Sequence, residues 1–140
     1  MRAVVQRVSA ASVVIEDELI ASIGGGLLVL LAVRRGDDRQ VADVLARRIL
    51  ALRVFDDEHG RMSRSVVDVG GEILCVSQFT LYGDTRKGTR PDYGEAAPAS
   101  EAEPLYERVC SALGAEGGRF GARMAVRLEN AGPVTLVLDA

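Results

Sequence analysis

The sequence predicts an α+β fold in a single domain spanning 1–140, β-rich with two main helices, and three observations carry that prediction. Most apolar residues fall in short alternating or continuous runs of strand type. Only two stretches, 37–52 and 100–114, place apolar residues at helical spacing. Those two lie far apart, so strands and helices do not alternate as they would in a parallel fold.

Element by element, Arg2 to Val8 alternates into Ala11 to Glu16 with only Ser9 and Ala10 between, and Leu19 to Ile23 follows the acidic turn Glu16-Asp17-Glu18. These read as a strand meander. Gly24-Gly25-Gly26 reads as a turn; no Gly-Lys-Ser/Thr follows it and the next element is a strand, so it lacks the helix N-terminus of a phosphate loop. Leu27 to Val33 is continuously apolar, as a strand buried on both faces would be. Asp37 or Asp38 can cap a helix whose Val41, Val44, Leu45, Ile49 and Leu52 share one face. Val54-Phe55 is a short extended piece closed by the polar turn Asp56 to Gly60, and Ser65 to Val69 is loosely extended.

Glu72 to Phe79 is a core strand, and beyond it Tyr82 to Pro91 is a loop of turn-forming residues carrying Arg86, Lys87 and Arg90. Ser100 and Glu103 make a capping box for the second helix, with Leu105, Val109 and Leu113 on one face, Pro104 in its first turn and Gly114 as its stop. Met124 to Glu129 alternates, Asn130-Ala131-Gly132-Pro133 is a turn, and Val134 to Leu138 is the closing strand.

Composition narrows the function classes. No stretch approaches the roughly 18 to 20 apolar residues of a membrane span, and the N-terminus reads as a strand rather than a signal peptide, so a cytoplasmic protein without membrane partners is expected. Cys75 and Cys110 read as reduced packing thiols, and with His59 the only histidine, no metal site and no cofactor is expected. The net charge of -3 argues against indiscriminate nucleic-acid binding. That sum conceals two local groups of cations, Arg86, Lys87 and Arg90 in one and Arg119, Arg123 and Arg127 in the other.

The chemistry converges on Ser77-Gln78-Phe79-Thr80. A strand end that delivers hydroxyls, an amide and free backbone N–H groups into a cationic loop suits an anionic substrate. A serine-hydrolase triad needs a base beside the nucleophile, but His59 lies in another, acidic turn, and Ser77 lacks the Gly-x-Ser-x-Gly elbow. The acids cluster in turns and on helix faces, which leaves no place for paired carboxylates. What remains is catalysis by positioned backbone amides, where one donor is typically worth roughly 3 to 4 kcal/mol of transition-state stabilisation.

Ser77-Gln78-Phe79-Thr80-Leu81 and Asn130-Ala131-Gly132-Pro133-Val134-Thr135 closely resemble the two signature motifs of the D-aminoacyl-tRNA deacylases. The likeness continues through Gln6-Arg7-Val8, Gly26-Leu27-Leu28-Val29, Arg86 to Pro91 and Gly118-Arg119-Phe120, and so spans the chain. It implies barrel-like mixed and antiparallel sheets, and a homodimer that hydrolyses the ester of D-aminoacyl-tRNA and of mischarged glycyl-tRNA, with no DNA partner. By the same resemblance, Ser77, Gln78, Phe79 and Thr80 form the catalytic pocket floor. The amides near Gln78 and Phe79 polarise the ester carbonyl, with help from the ribose 2′-hydroxyl, and Thr80 positions substrate. Gly132 and Pro133, joined by a cis peptide, enter from the partner subunit and with Arg7 complete the substrate site, rejecting L-residues sterically; Arg86, Lys87 and Arg90 meet tRNA. Two positions depart from the pattern: Ala131 stands where an aspartate is frequent, and Ala10 where a basic residue is. Two other readings stay open, a non-catalytic RNA-binding dimeric module and a small-ester serine hydrolase.

Overall fold

The computed structural model describes residues 1–140. The chain forms β1 (Arg2–Ile15), β2 (Glu18–Ile23), β3 (Gly26–Ala32), α1 (Arg39–Ala51) and a small antiparallel pair, β4 (Phe55–Asp56) and β5 (Met62–Arg64). There follow β6 (Glu72–Ser77), a 3-10 turn (Phe79–Tyr82), α2 (Ala99–Leu113), β7 (Glu116–Gly117) and β8 (Ala125–Asp139). One mixed sheet carries the strand order β2-β1-β3-β6-β7, with β8 on β1, and it curls until it is nearly closed as a barrel.

The expected meander is instead one long hairpin. β2 and β3 both run antiparallel to β1 and follow one another along the same edge of it, β2 against Ala11–Ile15 and β3 against Arg2–Val8. The reversal occurs once, at Glu16 and Asp17, both with positive φ. Gly24-Gly25 is therefore a kink in a continuing strand, not a reversing turn. Gly26 beyond it lies so close to the Glu72 backbone that a Cβ would overlap it.

The break at Ser9-Ala10 is likewise not a gap between strands. β1 runs straight through it, and the pairing with β8 shifts register there. That irregularity reverses which face odd-numbered residues occupy. Ala3 and Val5 pack with Leu27, Val29 and Leu31 in the core shared with the helices, whereas Ala11 and Val13 turn to a second core with Val8, Leu28, Leu74 and Val76. The sheet thus has apolar residues on both faces, and β3, wholly apolar, feeds alternate side chains to each.

Two helices cover the first face. Asp38 caps α1 by accepting the Val41 N–H at 2.9 Å, while Asp37 accepts the Arg34 N–H at 2.7 Å and pairs with the Met1 ammonium at 2.7 Å. α1 presents Ala42, Leu45, Ala46 and Ile49, and α2 presents Leu105, Val109 and Leu113. α2 begins at Ala99 behind Pro98, so the expected capping box falls inside the helix and Pro104 is its sixth residue, past the first turn. Gly114 ends it with φ +61°. Ser65 to Val69 is a turn rather than an extended piece: the Ser65 N–H donates to the Asp68 carboxylate at 2.9 Å, and the Ser65 hydroxyl accepts the Asp68 N–H at 3.1 Å.

Asn130 to Pro133 does not reverse the chain either. β8 is a single 15-residue strand bonded to β1 nearly end to end. Gln6 faces Thr135 and Val8 faces Asn130, which leaves Ala131 to Val134 bulged out opposite Arg7 alone.

Candidate active site

β6 is an inner strand, parallel to both β3 and β7, and its C-terminal end is Ser77, opposite Leu31. The buried Tyr106 hydroxyl donates to the Cys75 carbonyl at 2.8 Å and ties α2 to this strand; Cys75 is buried and Cys110 half-buried, both as free thiols. The strand ends at Ser77, two residues before the sequence suggests. Gln78 leaves it with its N–H donated to the Leu31 carbonyl at 2.8 Å, and Phe79 opens the 3-10 turn.

That geometry decides which amides are free. The Gln78 N–H is committed, so it is not one of the donors expected from the sequence. In the turn, the Leu81 N–H reaches the Gln78 carbonyl at 3.2 Å and the Gly83 N–H the Thr80 carbonyl at 2.9 Å. The N–H groups of Phe79 and Thr80 come first in the turn and have no acceptor upstream within it. The Gln78 side-chain amide donates to the Thr80 hydroxyl, which holds both side chains in place.

Beside this strand end lies a cavity of about 500 Å³. Val33, Val76, Ser77, Gln78 and Phe79 make one wall, and Phe120, Gly121, Ala122, Met124 and Val126 another. Ala97, Ala99 and Ala102 complete it. None of these side chains is ionisable, so the cavity offers no general base or acid of its own. Thr80 does not line it. Phe79, 52% exposed, sets its ring edge-on to Tyr93 at 5.1 Å.

The second motif stands apart from the cavity. Gly132 and Pro133, joined by a cis peptide, are exposed on the bulge of β8 and line no part of the cavity. Arg7 holds the bulge from beneath: its Nε donates to the Ala131 carbonyl at 2.9 Å, its Nη1 to the Val54 carbonyl at 2.8 Å, and Nη1 lies 3.6 Å from the Asp56 carboxylate. Asn130 accepts the Val134 N–H at 3.1 Å and donates to the Thr135 hydroxyl at 2.9 Å. The bulge is fastened without any acid at position 131; Ala131 contributes its carbonyl.

The basic loop is less cationic than its sequence suggests. Arg86 grips Asp84, the closest contact being 2.6 Å, and with its own N–H pulls that carboxyl down to about 2. Lys87 and Arg90 line a polar recess with Asp84 and Asp92 and form no ion pair of their own. His59 is exposed in the 56–60 turn beside Glu58. No three His, Cys, Asp or Glu side chains converge anywhere in the chain.

Of the residues expected on the pocket floor, Ser77, Gln78 and Phe79 line the cavity and Thr80 does not, and the sequence reading missed the apolar wall from α2 and the 120–126 segment. Helix periodicity hid the first, because Ala99 and Ala102 look like any small helical residues. For the second, the only available signal was the likeness at Gly118-Arg119-Phe120.

Over residues 4–139 the chain matches the family model described as D-Tyr-tRNA(Tyr) deacylase. The chain belongs to that family. Curated D-aminoacyl-tRNA deacylases of Thermomicrobium roseum and Thermosipho africanus are 53% and 52% identical to it over 145 aligned residues. Both alignments cover 100% of this chain, with 94% and 97% of the respective relatives. A solved protein described as c-Myc DNA Unwinding Element Binding Protein superposes with TM-score 0.95 at 44% identity, covering 100% of this chain and 99% of that one. A probable eukaryotic D-amino acid tRNA deacylase superposes with TM-score 0.88 at 18% identity, covering 99% and 98%, which shows the shared fold. This deacylase is thus a hydrolase of D-aminoacyl-tRNA. No helix of the chain is long and apolar enough to cross a membrane.

Proposed function

We propose that the deacylase works as a homodimer in which Gly132-Pro133 of each subunit closes the cavity of the other. One observation carries this reading: the cavity bears Ser77, Gln78 and Phe79 but lacks the second motif, which projects from the same chain on a separately braced bulge. Half a site faces in and half faces out. A two-fold arrangement brings each half to its complement in the partner.

In the closed site the ester carbonyl of the aminoacyl group sits where the cavity meets the 3-10 turn, against the free N–H groups of Phe79, which lines the cavity, and Thr80, which follows it. Negative charge that develops on this oxygen as water attacks is stabilised by those donors. With no ionisable side chain in the cavity, proton transfer falls to the substrate's own ribose 2′-hydroxyl and to water. Ser77, Gln78 and Thr80 shape and position, and the Gln78–Thr80 hydrogen bond fixes the start of the turn. Arg7 acts through the bulge it holds. An L side chain is excluded sterically by the Gly132-Pro133 backbone, while glycine, having no side chain, passes, so glycyl-tRNA is a second substrate. The enzyme works in the cytoplasm, where aminoacyl-tRNA is made.

The test compares D-aminoacyl-tRNA, its L-counterpart, glycyl-tRNA and a plain ester, following release of the acid. Turnover of the D and glycyl esters with the other two untouched supports the reading; hydrolysis of the plain ester would make this a general esterase. The likeness to a protein named for binding a DNA unwinding element favours nucleic-acid binding as a separate property. Duplex DNA therefore belongs in the assay as a competitor, and it should not inhibit. Dimer closure is tested by mixing a subunit inactivated at Gly132 with one inactivated by Phe79→Pro, which removes the donor N–H. Activity should return on subunit exchange, and its failure to return in dimers shown to be mixed would exclude the cross-subunit site.

A further inference from the structure

Arg119 and Arg123, which the catalytic site does not use, flank the turn that forms one wall of the cavity. The Ala122 N–H donates to the Arg119 carbonyl at 3.1 Å and Gly121 takes φ +76°, so residues 119–122 fold into a tight turn. Its Phe120, Gly121 and Ala122 all line the cavity. Arg119 enters the turn and Arg123 leaves it, which places two exposed cations on either side of the cavity wall. Neither takes part in any of the chain's ion pairs. In the basic loop, by contrast, Arg86 is neutralised by Asp84.

We propose that Arg119 and Arg123 form a phosphate clamp for the single-stranded 3′ end of tRNA, holding the backbone of the last nucleotides as the aminoacyl group enters the cavity. The inference rests on the reading of that cavity as the aminoacyl site. An ester at the terminus of a polynucleotide must arrive with its last phosphodiesters at the cavity rim, and the turn that lines this cavity is flanked by two exposed arginines outside the chain's ion pairs. Guanidinium suits this task because it presents a planar set of donors to phosphate oxygens and stays charged at every working pH. Arg127, the third cation of the same run, is outside the clamp. Val126 lines the cavity, so its neighbour on β8 turns to the other face, where Arg127 lies beside Ala10, Ser12 and Ser22.

Binding of uncharged tRNA separates this inference from the fate of the catalytic reading, because no turnover is needed. Arg119→Gln/Arg123→Gln should reduce the salt slope of tRNA affinity by about 1.4, at roughly 0.7 for each single-strand phosphate contact. Between 50 and 200 mM salt, the variant should therefore lose about sevenfold less affinity than the parent enzyme. A tRNA shortened by its last three nucleotides should bind parent and variant alike, with the same slope. In turnover, the variant should lose kcat/KM on D-aminoacyl-tRNA while keeping it on a D-aminoacyl ester of adenosine, which carries no phosphate.

Three binding results would each overturn the clamp. They are an unchanged slope with full-length tRNA, an equal change with the shortened tRNA, and an equal change in Arg127→Gln, which would mark general attraction to a basic surface. Equal loss on the adenosine ester would instead show the turn to be a structural wall whose arginines do not read phosphate. Failure of the parent enzyme to cleave any D-ester, with the slope change intact, would remove the catalytic reading and leave the clamp.

Discussion

The end of β6 and the bulge of β8 set backbone free of the sheet by opposite means. At β6 the strand stops: Ser77 is the last paired residue, Gln78 spends its N–H on Leu31, and the 3-10 turn that follows exposes the donors of Phe79 and Thr80. At β8 the strand continues, and pairing with β1 resumes at Thr135 after a four-residue excursion held by Arg7 and Asn130. The first device depends on what is not bonded, the second on what is. Donors at a turn start survive many side-chain changes, because they belong to the backbone. A bulge held by one guanidinium and one carboxamide does not, so the two regions should differ in how sharply they respond to substitution.

Gly132→Ala should have the largest effect. Gly132 has φ +123°, a conformation closed to alanine, and an added Cβ would run into the Arg7 guanidinium. The bulge must move, and a displacement on the order of 1 Å at a site of this kind costs about 100-fold in rate. Steady-state kinetics on D-aminoacyl-tRNA should show that loss with the far-ultraviolet spectrum preserved. Retention of full activity would mean that the bulge takes no part in the site.

Arg7→Lys should come next. Lysine keeps the charge but not the fork that reaches the Ala131 and Val54 carbonyls together, and the position is largely buried, with the side chain 15% exposed. Losing one charged hydrogen bond costs about 1.5–3 kcal/mol, enough for a fall of about tenfold or more in kcat/KM if the bulge loosens. The loss should appear in kcat more than in KM. A variant with unchanged kinetics but lowered Tm would reduce Arg7 to a fold-stabilising residue.

Thr80→Ala tests the other side of the comparison. It removes the partner of the Gln78 side chain but leaves the Thr80 N–H in place. One neutral hydrogen bond is worth about 0.5–1.5 kcal/mol net, so kcat/KM should drop by about two- to tenfold. Abolished turnover in a folded protein that still binds D-aminoacyl-tRNA would make the hydroxyl a nucleophile and end the case for backbone catalysis.

The same contrast explains what the sequence disclosed. The β6 end was legible because an apolar run stopping at a polar quartet has one local meaning, and Ser77, Gln78 and Phe79 do line the cavity. The boundary was misread, and with it the free donor at Gln78 and the place of Thr80, since nothing local tells a strand residue from the first residue of a 3-10 turn. The bulge was not legible by the same logic. Asn130, Gly132 and Pro133 are all turn-forming residues, and local chemistry alone predicts reversal. What overrides it is long-range: β1 offers an unbroken edge on both sides of the excursion, and Arg7 fills the space beneath it. Ser9-Ala10 and Gly24-Gly25 were misread for the same reason, since a break in periodicity marks a kink or bulge as readily as a turn. The likeness to known motifs singled out Gly132-Pro133 and its cis peptide, yet it too left the segment a turn.

Arg86→Gln should have the smallest effect on tRNA affinity, and it sharpens the comparison by separating formal charge from available charge. Arg86 and Asp84 form a closed pair, so a phosphate nearby meets almost no net field from them. The substitution should leave the salt slope of tRNA binding unchanged, whereas Lys87→Gln or Arg90→Gln should each reduce it by about 0.9 if they meet duplex phosphates. The pH response gives the sign independently. The Asp84 carboxyl is depressed to about 2, so its contribution to loop order is complete above the ordinary carboxylate range and is lost only as pH falls through about 2. In Arg86→Gln the main cause of the depression is gone, and the loop should loosen at higher pH, nearer the ordinary range. An NMR titration of the Asp84 carboxyl in both proteins would follow this directly; an unshifted titration in the variant would show that the backbone N–H of residue 86 alone holds the carboxylate.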